Sequence, residues 1–556
     1  FENVSIAGFL GAAIALGGAV GLAGGAIAAA LRLRTGAVVV PGIALVLFGT
    51  AGVRVHVRWF FGQPLLAPGI LFANVALAVA SAGVAWLLWI VAGRRLSRHL
   101  AGRAPAAAGI VLGACGAFVA LATRPEPSRP GSDATPTEGD DVLLVTLDTT
   151  RADHLSCYGY PRGTTPAIDR LARTAVQWVG MYAPVPLTGP SHASMLTGRT
   201  PRQHGVLNNG EALPASVPTF VPDLASQGWN CAAFVSGIPL KAGVSGLARG
   251  FHTYDDAFSP LEAVHPLLTS LAVVRIANRV FPIDLIERRA EHTCAAAIDW
   301  LRATESPRFL WVHLFDPHTP YDAPEVLRRR FARESTFWTA MDRPVVAWPI
   351  ADYDAELREM DRWLEDLLRA FGDATGGEGE VILIADHGEG LEQHGELAHG
   401  AQLHEEDLAV PFITRTHSDI HRTGDPPGPL LAYDVRLVTD VAQLVRARPR
   451  PWSTRGTEPP TILCETFRPE GRQDRSAVIE TTEDGRRTRR KVVKTWDTGK
   501  ETGFDLDRDP LERRPLEPPP GEWSHAIRQL PLGPVSWERG LDPETVRRLR
   551  ALGYVH

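Results

Sequence analysis

In the stretch YAPVPLTGPSHASMLTGRTPRQHGV, Tyr182 to Val206, a hydroxyl residue, Thr188, stands directly before a Gly-Pro pair and opens a run of small residues that closes at Gly198. That is the pattern of a helix N-terminus. By type and place Thr188 serves equally as a helix cap or as a nucleophile. Other places carry residues able to assist a nucleophile: Asp148 ends VLLVTLD, Asp316 and His318 lie in FDPHTPY, and Asp386 and His387 open DHGEGLEQHGELAHG, which also holds His399. Carboxylate oxygens, an imidazole nitrogen and a hydroxyl brought together make a compact site for a divalent metal. The set Asp148, Thr188, Asp386 and His387 favours zinc or manganese over calcium, which prefers all-oxygen shells. A threonine hydroxyl is hardly ionised near neutral pH, and coordination to a dication lowers its pKa. Backbone N–H groups of the helix N-terminus suit an anionic phosphoryl or sulfuryl oxygen.

The remaining polar residues leave choices open. His318 and His399 fit a second metal together with Asp316, or act without metal as charge stabiliser and general acid. Asp316 and His318 also suit a plain proline-directed turn. His192, one helical turn after Thr188, is expected to face the same way and touch a substrate anion. His394 and His404 flank His399 and compete for its role, whereas His204 reads as a loop brace. Arg151 reads as an anchor for Asp148 or Asp153, and Glu389 and Glu392 as a solvated or supporting face.

These residues need a scaffold that collects strand ends. Continuous apolar runs, VLLVTL, NCAAFVS, RFLWVHLF and EVILIAD, alternate with helical patterns in PAIDRLARTAVQW, from Glu287 to Ala303 and from Tyr353 to Phe371. Such alternation indicates an α/β layered fold with a largely parallel sheet, whose sites form at the carboxyl ends of strands. From about Thr461 short β-like runs, TILCE, AVIET and KVVKTW, precede a closing helix in DPETVRRLRALGY, which predicts a small C-terminal α+β subdomain.

The N-terminal part is of another kind. Uncharged apolar spans run from Val4 to Leu31, Thr35 to Val53, Phe60 to Gly93 and Ala104 to Thr123, and each supplies the roughly 20 residues that cross a bilayer. A cleaved signal would supply a single such span. Arginines are denser in the first and third loops (Arg32, Arg34, Arg94, Arg95, Arg98, Arg103) than in the second loop and the exit (Arg54, Arg58, Arg124, Arg129). By the positive-inside rule everything beyond Thr123 then lies outside the cytoplasm. Residues 124–140 are rich in Pro, Gly, Ser and acid and form a linker. The expected organisation is therefore a four-helix transmembrane region over 1–123, the linker, a catalytic domain over 141–460 and the C-terminal subdomain over 461–556. The five cysteines are scattered without CxxC spacing, which excludes a zinc ribbon or disulfide framework. A formal net charge of −6 with no basic, aromatic-laced patch excludes nucleic acid as partner.

Read in order, LVTLDTTRADHLSCYGY, PLTGPSHASMLTGRTPRQHGV, LWVHLFDPHTPYDAP, IADHGEGLEQHGELAHG, GFDLDRDPLE and LRALGYV resemble the successive signatures of the sulfatase family, within the alkaline phosphatase superfamily. The resemblance spans about residues 141 to 556 and implies an alkaline-phosphatase-like α/β/α sandwich with a smaller C-terminal sheet. It also shows departures. Where sulfatases carry Cys/Ser-x-Pro-x-Arg, this chain has Thr188, Pro190 and His192, and threonine cannot yield formylglycine. Asp148 is followed by Thr149 where the family pairs aspartates, His387 takes the place of an asparagine, and FVSGIPL stands where arylsulfatases have Gly-Lys-Trp-His. The set is similar to that of phosphoethanolamine transferases and lipoteichoic acid synthases, membrane-anchored members with a threonine nucleophile. The resemblance thus implies a metal-dependent hydrolase or transferase of phosphate monoesters or diesters, fixed in a bacterial cell membrane and acting on a lipid or envelope-polymer substrate. Sulfate ester hydrolysis and a catalytically silent envelope-binding domain are the alternatives.

Overall fold

The strand β1 (Asp141–Leu147) is apolar at most positions and buried along its whole length. In the computed structural model, which describes residues 141–258, 288–334, 347–416, 430–432, 436–446, 461–467, 475–483 and 487–529, β1 is the middle of the main sheet. The expected membrane spans, the linker and the closing helix of the C-terminal part lie outside these residues. Among the described residues no helix is long and apolar enough to cross a membrane.

Strands β5 (Arg308–Leu314) and β6 (Glu380–Ala385) flank β1, both parallel to it, and the register sets Leu147 beside Leu314 and Ala385. Strand β3 (Asn230–Phe234) and then β4 (Thr253–Asp255) continue the parallel half beyond β5. On the other side β7 (Ala409–Arg415) runs antiparallel to β6, and β2 (Val176–Tyr182) antiparallel to β7. The short strands β8 (Leu430–Ala432) and β9 (Arg436–Leu437) both pair with β2. The sheet is therefore mixed, with a parallel centre. Every residue of β1 and β5 is buried, as expected for strands covered on both faces.

Helix α1 (Pro166–Ala172) is shorter than the pattern PAIDRLARTAVQW suggested. Asp361 accepts the Ala167 and Ile168 N–H groups at 2.8 and 2.9 Å and fixes its start. The expected continuation turns into β2, where Trp178 packs on Phe412 of β7 with ring centroids 5.8 Å apart. Sheet pairing and aromatic burial overrule the local helical pattern there. Helix α2 (Thr188–Thr197) follows β2 and ends on Gly198 in the left-handed region, φ 72°. Helix α3 (Ala290–Ala303) packs against β5 and against α4 (Ala347–Ala374), which is longer at both ends than the sequence pattern indicated.

The second sheet is antiparallel, β10 (Thr461–Thr466), β11 (Arg475–Glu483), β12 (Arg487–Thr495) and β13 (Glu501–Asp505) in that order. Helix α5 (Ser524–Gln529) follows, and Trp523 and Ile527 pack on Val478 and Val492. Tyr182, Leu403 and Leu408 join Ile462, Cys464, Ala477, Ile479 and Phe504 in one apolar cluster that binds this sheet to the main one. Lys491 is buried beside it and ion-paired with Glu405 at 3.1 Å and Glu512 at 2.6 Å.

Candidate metal centre and nucleophile

Because the central register is parallel, the chain leaves β1 and β6 at the same level. The Asp148 N–H donates to Leu314 O at 2.9 Å and the Asp386 N–H to Leu147 O at 3.2 Å, so both aspartates are fixed as backbone extensions of the sheet. After Asp148 the chain turns through Thr149, whose φ of 46° is in the left-handed region. A β-branched residue is costly there, and the surroundings hold it. Thr149 N–H donates to Asp386 Oδ1 at 3.2 Å, while the Tyr353 hydroxyl donates to Thr149 O at 2.7 Å and accepts the Arg151 N–H at 2.9 Å. After His387 the backbone presses on a neighbouring segment, where a Cβ on Gly388 would come 1.9 Å from Glu406 O.

Four donors result. Asp386 Oδ1 takes two backbone N–H groups, from Thr149 at 3.2 Å and His387 at 2.8 Å. Its Oδ2 and Asp148 Oδ1 are buried with no hydrogen-bond partner. The His387 Nδ1–H donates to Gly388 O at 2.8 Å, which leaves the lone pair on Nε2. That nitrogen is 3.6 Å from Asp386 Oδ2, 3.9 Å from Asp148 Oδ1 and 3.4 Å from Thr188 Oγ1. All four residues are fully buried, and the ligand atoms of Asp148, Asp386 and His387 lie within 4.8 Å of one another. Unpartnered carboxylate oxygens at this depth call for a counter-ion or protons. An oxygen, oxygen, nitrogen and hydroxyl set fits a divalent cation. Burial pushes the Asp148 carboxyl up to about 8. Asp386 is raised well above the carboxylate range by burial and by Asp148, and burial drives His387 well below the usual histidine range.

The other expected residues divide. The His399 ring lies 4.4 Å from that of His387 and 5.1 Å from that of His318, so His399 borders the donors and His318 borders His399. His318 stacks on Phe315 with centroids 4.3 Å apart, and burial lowers it to about 3. Glu389, read from sequence as a supporting or solvated face, is buried and accepts from His399 Nδ1 at 3.1 Å. Asp316 does not join: its Oδ2 accepts the Ala290 N–H at 2.8 Å at the start of α3, and its Oδ1 is 3.4 Å from Arg289 Nε. His192 turns into the fold. Its Nδ1–H donates to Thr188 O at 2.8 Å and its Nε2 accepts from Thr146 Oγ1 at 3.0 Å, so both ring nitrogens are engaged inside the fold. Part of the helix N-terminus is likewise engaged. Gly189 N–H goes to Asn209 Oδ1 at 2.7 Å, Ser191 N–H to Leu187 O at 3.0 Å, and Pro190 has none. Arg151 pairs with Asp153 at 2.7 Å, not with Asp148.

Sequence reasoning passed over His313, Tyr353 and Asn209. His313 is fully buried in β5 and its Nε2 is 3.1 Å from Asp148 Oδ2. Its signal was a lone imidazole inside an otherwise apolar strand, RFLWVHL. Tyr353 and Asn209 act through backbone groups far away in sequence, and no local pattern marks that.

Comparison with known proteins follows the same lines. Residues 140–428, just over half of the chain, match the family profile described as Sulfatase. Human arylsulfatase A is 35% identical over 95 residues, 16% of this chain and 19% of that protein. The delta 4,5-hexuronate-2-O-sulfatase of Bacteroides thetaiotaomicron is 22% identical over 326 residues, 51% of this chain and 63% of that protein. The chain thus spans about a fifth of the first relative and less than two thirds of the second. A solved structure concerned with the metabolism of multiple glycosaminoglycans by Bacteroides thetaiotaomicron superposes with a TM-score of 0.51 at 18% identity, covering 75% of this chain and 97% of that one. That likeness is one of fold.

Proposed function

This chain belongs to the sulfatase family, and on that premise we propose a metal-dependent hydrolase or transferase that acts on phosphate esters through Thr188, anchored in a bacterial membrane with its catalytic domain outside the cytoplasm. The observation that carries the reading is the position of the Thr188 hydroxyl, 3.4 Å from His387 Nε2 and beside Asp148. The cap position of α2 is Leu187, so Thr188 is the first residue of the helix and not its cap, and its hydroxyl turns to His387 instead.

Asp148, Asp386, His387 and Thr188 would hold the cation, which when bound supplies positive charge that eases ionisation of the hydroxyl and neutralises the transferred group. Thr188 Oγ1 forms a bond to phosphorus as the ester oxygen departs in line. The hydroxyl proton is lost and the departing oxygen gains one, so the net step exchanges an alcohol for a phosphothreonine. Water or an acceptor hydroxyl then attacks phosphorus and returns Thr188. His318 and His399 border the place where the leaving oxygen would sit, His399 being oriented by Glu389. Attachment to the membrane would favour a lipid or envelope-polymer ester by raising its local concentration.

The similarity to arylsulfatase A favours a second reading, sulfate ester hydrolysis, against which Thr188 counts because it cannot become formylglycine. Metal content and turnover of nitrophenyl phosphate, a phosphodiester and nitrophenyl sulfate, for wild type and Thr188→Ala, test both. Expected are bound metal, preference for a phosphate ester and a loss of at least about a thousandfold in the variant. Preference for sulfate would install the second reading. Metal without turnover of any ester would favour a binding domain, and turnover untouched by the substitution would remove Thr188 from the reaction.

A further inference from the structure

The residue beneath the donors, His313, touches one oxygen of one ligand and leaves the other alone. Ser236 N–H donates to His313 Nδ1 at 3.3 Å, so that nitrogen carries the lone pair and the proton sits on Nε2. The Nε2–H therefore donates to Asp148 Oδ2 at 3.1 Å, while Asp148 Oδ1 stays unpartnered. Ser236 Oγ also bonds the His313 carbonyl and is 2.8 Å from Thr293 Oγ1, which anchors the imidazole from behind. The close approach depends on Gly237, where a Cβ would lie 2.8 Å from the Phe315 ring and 3.3 Å from His313 Cε1.

His192, His313 and Asp386 also form a cluster with ligand-like spacing. The hydrogen bonds argue against a cation there. Coordination through His313 Nε2 would move the proton to Nδ1, where it would face the Ser236 N–H. His192 Nδ1 is already committed to the Thr188 carbonyl and its Nε2 to the Thr146 hydroxyl. His313 belongs behind the metal, not on it.

The two carboxylates are thus restricted in the same way. Asp386 has Oδ1 occupied by the N–H groups of Thr149 and His387, and Asp148 has Oδ2 occupied by His313. Each offers the ion a single oxygen. Calcium takes six to eight oxygen ligands and commonly binds carboxylates through both oxygens, whereas zinc and manganese accept fewer donors and imidazole nitrogen.

We propose that His313 is a metal-selectivity residue: by tying up Asp148 Oδ2 it holds that carboxylate monodentate and biases the centre toward a small, nitrogen-tolerant dication and against calcium. The inference rests on the metal reading of the Asp148, Asp386 and His387 set. It differs from Asp386, whose restraint is backbone and cannot be removed by substitution. In an apolar variant Oδ2 becomes available and bidentate binding opens.

The experiment is competitive binding of zinc, manganese and calcium to the metal-stripped full chain, for wild type, His313→Leu and His313→Gln. The leucine keeps volume and lacks the donor, whereas the glutamine amide still donates to Asp148. We expect the preference for zinc over calcium to fall at least about tenfold in His313→Leu, the scale at which partners of metal ligands act, and to stay within about threefold of wild type in His313→Gln. An unchanged preference in His313→Leu, or equal loss in both variants, overturns the role of His313 while leaving the metal reading intact. Wild type that binds no divalent ion overturns both. Should His313→Leu fail to fold, a structure of wild type loaded with manganese decides, since a bidentate Asp148 overturns the inference and a monodentate one upholds it.

Discussion

Loading the centre with a dication should expel protons, and the pH dependence of that exchange follows from burial. Asp148 is raised to about 8 and Asp386 well above its ordinary value, each by desolvation first. Two adjacent buried carboxylates resist double ionisation, so the metal-free centre holds at least one proton at neutral pH. His387 is driven well below its usual range and His313 to about 3, both by burial, so neither imidazole changes charge near neutrality. The slope of affinity against pH then reports the carboxyls. For one proton displaced, Kd should fall about tenfold per pH unit between about pH 6 and about pH 8, worth about 1.4 kcal/mol per unit. For two protons the slope doubles. The sign for stability is opposite in the metal-free chain. The folded state binds more protons than the unfolded one between the unfolded carboxyl range and about 8, so metal-free stability falls as pH rises through that window and metal restores it. Isothermal titration of zinc or manganese into the metal-stripped chain, in buffers of differing ionisation enthalpy, counts the protons directly. Affinity independent of pH, with no proton released, would refute the reasoning that these carboxyls are the ligands.

Two further substitutions test the frame around the centre. Tyr353→Phe leaves the Thr149 carbonyl and Arg151 N–H buried without their partner, at about 1–3 kcal/mol each, and urea unfolding should show a loss of about 2–6 kcal/mol. A loss below about 0.5 kcal/mol would mean that the Thr149 turn holds itself. Asp354 gathers His154 at 2.8 Å, Tyr160 at 2.7 Å and Arg162 at 2.6 Å in a buried network. Asp354→Asn, which strips Arg162 of its counter-charge, should cost about 3–5 kcal/mol and leave metal stoichiometry unchanged, because none of these groups touches a donor; loss of metal at native pH and temperature would contradict that separation.

What could be read from the sequence and what could not follows from how far each contact reaches. Asp148 and Asp386 were legible because continuous apolar runs announce buried parallel strands, and residues just past such strands share one edge. His387 came with Asp386, and Thr188 with the Gly-Pro pair. The partners of His192 were not legible because helical spacing gives a face but not a hydrogen bond, and its imidazole turns back to the carbonyl one turn earlier. Asp316 was misjudged because the helix start that it caps, Ala290, lies well before it in the chain. The β2 segment was misjudged because VQWVGMY suits either state locally and only the partner strand β7 decides. His313 was hidden by its strand, where a polar residue in an apolar run looks like tolerated core.

The departures from the sulfatase pattern share one electrostatic consequence. Where the family motif has an arginine, His192 is held neutral, burial and then His313 lowering it well below the usual histidine range. Arg151, the arginine nearest to Asp148 along the chain, is spent on Asp153 and on the Glu389 carbonyl. Among the described residues no lysine or arginine forms an ion pair with Asp148 or Asp386, and the basic side chains within 4 Å of their oxygens are those of His192, His313 and His387. An arginine at position 192 would have supplied a fixed cation inside the fold and allowed the carboxylates to ionise without help. With a neutral His192 in its place, His399 is the side chain whose charge eases ionisation of Asp148, and a bound cation would favour loss of the pair's protons further, because isolated buried anions are costly. On the proposed reading, the Thr188 hydroxyl, 3.4 Å from His387 Nε2, would be least nucleophilic in the metal-free centre and competent only with the ion, so that loading and activation would be one event and not two.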